Sequence, residues 1–146
     1  MPYRTNITTR RIEWGECDPA GIVFYPRFFE LMQEATEDFF RYAIGMPFED
    51  LVNRDGIVMP IVSLDVAWHA PSRLADVLAI DVAVARLGGA SIDFAYEMTC
   101  RGERRMSART TQVQTRRETG RSTPIVDPMR GRLMSHFVDV TERAFE

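Results

Sequence analysis

The residues best suited to chemistry lie between the first predicted strand and the first predicted helix. Residues 15–21 read GECDPAG, a run of types that favours bends. Asp18 therefore lies in a turn before a helix N-terminus, where unpaired backbone N–H groups carry about half a positive charge. A carboxylate there suits acyl transfer, because it can attack a carbonyl or activate water while the N–H groups stabilise the oxyanion. Gly21 would let a substrate approach the backbone closely. The alternative is a turn that Asp18 only caps.

Cys17 offers a second chemistry, that of a thiol nucleophile. The two histidines of the chain, His69 and His136, would then supply the base. No spacing links either histidine to Cys17, and cysteine is commonly a small buried hydrophobe. Cys17 and Cys100 are also too few for a disulfide framework or a four-ligand zinc site.

Composition excludes several classes of protein. The chain has 146 residues, 45% of them hydrophobic, which predicts one globular domain over residues 1–146. All 18 positive charges are arginines against 21 acids, for a net charge of −3. The absence of lysine excludes Schiff-base chemistry, and the negative charge disfavours nucleic-acid binding. The longest uncharged apolar run, residues 56–64, is too short to cross a membrane, and no apolar stretch makes the N-terminus a secretory signal. We expect a cytoplasmic protein.

The hydrophobic pattern predicts one strand, one long helix and then four strands. Residues 4–14 favour the strand, and apolar residues at helical spacing follow Pro26 as far as Ala43. Alternating patterns then predict strands over residues 57–68, 77–87, 91–100 and 106–115, joined by hairpins. Residues 128–145 favour a short strand or a terminal helix. This order predicts an α+β fold with the helix on one face of an antiparallel sheet.

The predicted helix carries more aromatic surface than one small sheet normally covers. Phe28 and Phe39 lie on its apolar face, and Tyr42 adds to them. The open edges of the sheet also favour pairing with another chain. We therefore expect a homodimer or homotetramer.

Residues 11–26 (RIEWGECDPAGIVFYP) resemble the active-site signature of the 4-hydroxybenzoyl-CoA thioesterase family. The likeness continues through residues 56–63 (GIVMPIVS), 70–73 with 76–78, and 86–91 (RLGGAS). It implies the hot-dog fold, a long central helix wrapped by a curled antiparallel sheet of about five strands. It also implies an enzyme that hydrolyses an aryl- or short acyl-CoA thioester, with active sites built from both chains of a dimer. No cofactor is implied, since coenzyme A is part of the substrate.

The resemblance assigns roles to individual residues. Asp18 matches the catalytic aspartate, as nucleophile or general base, and the backbone amide of Tyr25 matches the group that polarises the thioester; Gly21 belongs to the same turn. The residues expected to contact substrate are Phe24, Pro60, Ile61, Ser63, Arg86, Ser91, Arg104 and Arg105.

Arg104 and Arg105 belong to a basic segment, residues 101–121, which has seven arginines against two glutamates. Guanidinium groups suit the phosphates of coenzyme A, although a solvated hairpin face is the alternative. Two other functions also stay open. One is a non-catalytic protein that binds acyl thioesters. The other is a hydratase or dehydratase, which needs a histidine paired with an acid.

Overall fold

The structure, a computed structural model, describes residues 6–139. The helices are α1 (Arg27–Asp38), which continues without a break as the π-helix Phe39–Ile44, then α2 (Phe48–Asn53) and α3 (Met129–Met134). The strands are β1 (Asn6–Arg11), β2 (Ile57–Val58), β3 (Ile61–Trp68), β4 (Val77–Leu87), β5 (Ser91–Cys100), β6 (Glu103–Val113) and β7 (Thr115–Arg116).

Five strands form one antiparallel sheet in the order β1-β4-β5-β6-β3, and β2 pairs with β7 in a separate two-stranded sheet. The predicted α+β class, with one long helix and five antiparallel strands, is confirmed. The prediction that hairpins join all four later strands was wrong, because β3 pairs with β6 and not with β4. The connection after β3 instead bonds to the N-terminal part of the chain, where Val23 N–H donates to Ser72 O and Ile12 N–H donates to Asp76 O. Because Asp76 directly precedes β4 and Ile12 directly follows β1, this bond brings the two strands together, and β4 pairs with β1.

Local irregularities shift several predicted boundaries. The strand predicted over residues 57–68 is interrupted before β3, at Pro60, which has no N–H to donate to a ladder. Trp14 lies outside β1, in a short 3₁₀ turn over Trp14–Glu16 whose Glu16 carboxylate accepts a hydrogen bond from Glu13 N–H. The tail adopts the helical alternative in α3, and α2 was not predicted.

The core lies between the long helix and one face of the sheet. Phe39, Phe40 and Phe94 are completely buried and meet edge to face, with ring centroids 5.5–6.0 Å apart. Two adjacent phenylalanines are both buried where the helix widens into a π-helix, a local change that often marks functional regions. Among the helices of residues 6–139, none has the length and apolar character needed to cross a lipid bilayer.

Strand β3 is an edge of the sheet and is unusually apolar for an edge. Its apolar side chains Ile61, Val62, Leu64 and Trp68 are between 41% and 63% exposed. Long apolar edge strands are normally covered or blunted, because their unpaired backbone groups attract other strands.

Candidate active site

Asp18 begins a tight turn that leads back to α1. Gly21 N–H donates to Asp18 O (2.9 Å), and Asp18 N–H donates to Ile22 O (2.9 Å). Gly21 has a φ of 79°, so this is a turn closed by a left-handed residue, which glycine adopts without strain. Gly21 thus serves the turn through its backbone conformation and its N–H.

The Asp18 side chain both caps this turn and retains an oxygen for chemistry. Its Oδ1 accepts a hydrogen bond from Ala20 N–H (2.8 Å). Within residues 6–139, no donor pairs with its Oδ2. Asp18 can therefore cap the turn and still take part in a reaction. One carboxylate oxygen is held by the turn, which orients the group, and the other is left for chemistry.

The amide of Tyr25 is left unpaired where the chain enters α1. The first amides of the helix donate to carbonyls three residues back, at 2.9–3.2 Å: Arg27 to Phe24, Phe28 to Tyr25, and Phe29 to Pro26. Pro26 has no N–H. Among the described residues, no acceptor pairs with Tyr25 N–H. A ligand oxygen placed there would gain this hydrogen bond and the favourable end of the helix dipole.

A short antiparallel ladder connects these two groups. Cys17 pairs with Val23, and Phe24 N–H donates to Glu16 O (2.9 Å). Asp18 therefore lies where the first strand of this ladder enters the turn. Tyr25 comes directly after Phe24, the last residue of the second strand. The ladder positions both groups, and the segment after β3 supports it, since Leu74 N–H donates to Gly21 O (3.1 Å) and Ile22 pairs with Arg73.

An aromatic cavity of about 270 Å³ opens beside Tyr25. Trp68, at the end of β3, contacts the aromatic rings of Tyr25, Phe28 and Phe29 at centroid distances of 6.0–6.3 Å. The lining residues are Ile22, Val23, Tyr25, Phe28, Trp68, Ala70, Pro71 and Ser72. This cavity adjoins the helix entry, and its aromatic walls suit a flat apolar group.

The structure does not bring Cys17 together with either histidine. The Cys17 thiol lies 3.6 Å from Glu13 O. Burial raises the pKa of this thiol, and the neighbouring carboxylates of Glu16 and Asp18 raise it further, so little thiolate forms at neutral pH. His69 instead hydrogen-bonds Ser107 Oγ (2.9 Å), and the His136 ring packs edge to face on Phe39. Over residues 6–139, no group of three or more His, Cys, Asp or Glu side chains is arranged to hold a metal ion.

The predicted substrate contacts fall into separate places in one chain. Phe24 lies next to Tyr25, with ring centroids 5.5 Å apart. Pro60 lines a second apolar cavity of about 330 Å³ between α1, α2 and β2, and Ile61 lines a third of about 70 Å³ between α1 and β3. Ser63 lies on the exposed part of β3. None of these three cavities collects all of these residues.

The predicted phosphate contacts are mostly engaged with protein groups. Arg104 lies in an ion pair with Glu97 and donates to Ser107 Oγ (2.8 Å). Arg86 is exposed, 4.0 Å from Asp93, and Ser91 closes the β4–β5 turn by accepting a hydrogen bond from Gly88 N–H (2.8 Å). That these residues contact coenzyme A stays a prediction.

Arg105 helps to hold the wall of the aromatic cavity. Its Nη1 donates to Asp76 Oδ2 (2.6 Å) and to Pro71 O (3.1 Å). Asp76 Oδ2 also accepts a hydrogen bond from Arg73 N–H (2.8 Å). Burial alone would raise the pKa of Asp76, but the hydrogen bonds from Arg105 and Arg73 outweigh it and lower the pKa below its usual value. Ser72, between Pro71 and Arg73, is therefore fixed on both sides.

Comparison with known proteins identifies the family. Residues 12–133 match the sequence profile of the thioesterase-like superfamily, which is most of the chain. The chain belongs to the thioesterase-like superfamily. The match includes the turn at Asp18, the helix entry at Tyr25 and the cavity wall around Ser72.

Three members of the superfamily illustrate the similarity. The 4-hydroxybenzoyl-CoA thioesterase of Pseudomonas sp. (strain CBS-3) is 36% identical over 76 residues, or 51% of this chain. The alignment spans only about half of that protein, 54% of its length. The 1,4-dihydroxy-2-naphthoyl-CoA hydrolase of Thermosynechococcus vestitus is 23% identical over 135 residues, 92% of each chain. A solved gentisyl-coenzyme A thioesterase superposes with a TM-score of 0.79 at 27% identity, covering 86% of this chain and 99% of that one. The predicted hot-dog fold is confirmed.

Sequence reasoning missed two residues of the cavity beside the helix entry at Tyr25, namely Trp68 and Ser72. Trp68 ends an alternating strand, but which surface its ring meets depends on where α1 packs. Ser72 lies in the APSR segment that shares the family resemblance, yet a serine between proline and arginine reads as an ordinary loop residue. Only the tertiary structure relates these side chains to Tyr25.

Proposed function

We propose that this chain is an acyl-CoA thioesterase that hydrolyses an aryl- or short acyl-CoA thioester to the free acid and coenzyme A. The observation that carries the proposal is the pairing of an oriented carboxylate, Asp18, with an unpaired amide at a helix entry, Tyr25. Acyl transfer needs both parts, a group that delivers the nucleophile and a donor that stabilises the oxyanion. The names of the relatives, which are CoA thioesterases and hydrolases, support the same reaction.

In the proposed reaction, the thioester carbonyl oxygen accepts a hydrogen bond from Tyr25 N–H. The Asp18 carboxylate then attacks the carbonyl carbon, coenzyme A leaves as the thiolate, and water opens the resulting anhydride. In the general-base form of the reaction, Asp18 takes a proton from the attacking water and no anhydride forms. In both forms, the donor at Tyr25 contributes on the order of 100-fold or more to the rate.

We also propose that the working form is at least a homodimer that pairs through β3. The exposed apolar side chains of this edge strand, Ile61, Val62 and Leu64, favour a covered edge. The split of the expected substrate contacts between separate cavities supports active sites built from two chains.

Thiol release from a panel of acyl-CoAs, aromatic to long-chain, tests the activity. We expect Asp18→Asn to keep the fold and lose most of the hydrolysis, because the amide can neither attack the carbonyl nor accept the proton. Asp55→Asn is the matched control, since within residues 6–139 the Asp55 side chain pairs with the adjacent Arg54 alone, in a surface ion pair. Cys17→Ser should also retain activity.

Two results would contradict this proposal. A loss of less than about tenfold in Asp18→Asn, or 1.4 kcal/mol of barrier, removes Asp18 from the mechanism. The absence of turnover on every acyl-CoA, together with measurable binding, favours a non-catalytic acyl-thioester-binding protein. A collapse of Cys17→Ser equal to that of Asp18→Asn would revive the thiol nucleophile.

A further inference from the structure

A buried hydroxyl without a partner lies in the wall of the aromatic cavity. Ser72 is only 1% exposed. Among the groups of residues 6–139, its Oγ has no hydrogen-bond partner. Buried hydroxyl groups are normally paired, because an unpaired one loses the hydrogen bonds that it made to water and gains none. The cavity therefore contains a polar group that a bound molecule can satisfy.

The backbone on both sides of Ser72 is fixed, so its side chain cannot reach another partner by a loop movement. Ser72 O accepts a hydrogen bond from Val23 N–H (2.9 Å), within the segment that leads to Tyr25. Pro71 O and Arg73 N–H are held by the partly buried ion pair of Arg105 and Asp76. Such support from neighbouring groups is typical of side chains that recognise a ligand.

The size and walls of the cavity indicate an aromatic ligand. An apolar cavity of about 150 Å³ is enough to bind benzene, and this one measures about 270 Å³. Its rings, Tyr25, Phe28 and Trp68, suit edge-to-face contact with an aryl group. Of the lining residues, Ser72, Tyr25 and Trp68 carry polar side-chain atoms, and within residues 6–139 the Ser72 Oγ is the one that is buried without a partner. The cavity thus has room for one or two rings with a substituent that reaches Ser72.

We propose that Ser72 determines specificity for the acyl group, by hydrogen-bonding a polar substituent such as a hydroxyl on the ring of an aryl-CoA substrate. This inference rests on the proposed function, because it places the thioester at Tyr25 N–H and the ring in the cavity beside it. A hydroxyl can donate to or accept from the substituent, so Ser72 selects for the presence of a polar group and not for its charge. A substrate without the substituent gains no hydrogen bond from the serine, and this difference in hydrogen bonding gives the discrimination.

The test compares matched substrates on matched variants. kcat/KM is measured with benzoyl-CoA and with 2-, 3- and 4-hydroxybenzoyl-CoA, for the wild type, Ser72→Ala and the exposed-serine control Ser122→Ala. We expect the wild type and the control to prefer one hydroxybenzoyl isomer over benzoyl-CoA by about tenfold. Ser72→Ala should lose that preference and keep its activity on benzoyl-CoA. Its melting temperature should be unchanged or higher, because the substitution removes an unpaired buried hydroxyl.

Ser72→Cys, which keeps the volume but donates weakly, provides a second variant and should also lose the preference. The proposal is overturned if the wild type has no preference, or if Ser72→Ala keeps it. An equal loss on all four substrates also overturns it, because Ser72 then contacts the coenzyme A portion that they share. Failure of the proposed function gives a different result, with no thiol released from any of the four substrates by the wild type.

Discussion

Replacing Gly21 with alanine tests whether the turn geometry sets the activity of Asp18. Gly21 has a φ of 79°, and an added Cβ would meet no atom within 4 Å. The cost is therefore left-handed backbone strain without a collision, about 1–2 kcal/mol. The strain is relieved by shifting the bond between Gly21 N–H and Asp18 O, which moves the carboxylate. Because a displacement of about 1 Å at a reacting group costs on the order of 100-fold, we expect kcat/KM to fall by roughly 10- to 100-fold.

Gly102 provides a matched control for this experiment. It also has a φ of 79° with no atom within 4 Å of an added Cβ, but it lies in the β5–β6 turn, outside the aromatic cavity. Both alanine variants should lose stability by the same amount, roughly 2–4 °C in Tm for each kcal/mol. Only Gly21→Ala should lose hydrolysis of the best substrate in the thiol-release assay. If both variants lose the same stability but Gly21→Ala keeps the kcat/KM of the wild type, the turn does not position the carboxylate.

Two further predictions concern stability and assembly. Asp76→Asn should destabilise the fold by about 2 kcal/mol at neutral pH, because it breaks the partly buried ion pair with Arg105. Since folding lowers the pKa of Asp76, the ionised form stabilises the protein above the ordinary aspartate pKa of about 4, and this contribution is lost as the pH falls through the folded value. In urea unfolding, the difference in the free energy of unfolding between wild type and variant should therefore be largest at pH 7 and shrink below about pH 4. A difference that stays constant with pH would contradict the role of ionised Asp76. Val62→Lys, on the exposed edge strand, should shift a dimeric wild type toward monomer in sedimentation at micromolar concentration; a wild type that is already a stable, active monomer would refute the proposed dimer.

The sequence predicted best those elements whose pattern is local and strong. Strands β4 and β5 have the predicted bounds, because strict alternation ends at the turn formed by Gly88 and Gly89. The long helix ends at Gly45, which has a φ of 71° and caps it in the left-handed conformation. The turn at Asp18 was also visible in the sequence, because proline and glycine define it within four residues.

Features that depend on distant partners were not visible in the sequence. Asp76 and Arg105 are 29 positions apart, and no local pattern relates them. The pairing of β3 with β6 was missed for the same reason, because alternation shows that a strand exists but not which strand lies beside it. Ser72 looks like a loop residue until the segment around it is seen to form a cavity wall. Sequence reasoning thus identified the residue that we propose to react and missed the groups that form the cavity wall beside the helix entry.

The proposed dimer explains why the expected substrate contacts are divided in one chain. Strand β3 begins at Ile61, after Pro60, and ends at Trp68, whose ring lies beside Tyr25. In a two-fold dimer, a strand at the interface pairs antiparallel with its own copy, so the beginning of one β3 lies opposite the end of the other. Pairing centred on β3 would therefore bring Pro60 and Ile61 of the partner subunit next to the Trp68 and Tyr25 of the first. The same contact would cover the apolar edge and assemble the predicted substrate residues around the helix entry.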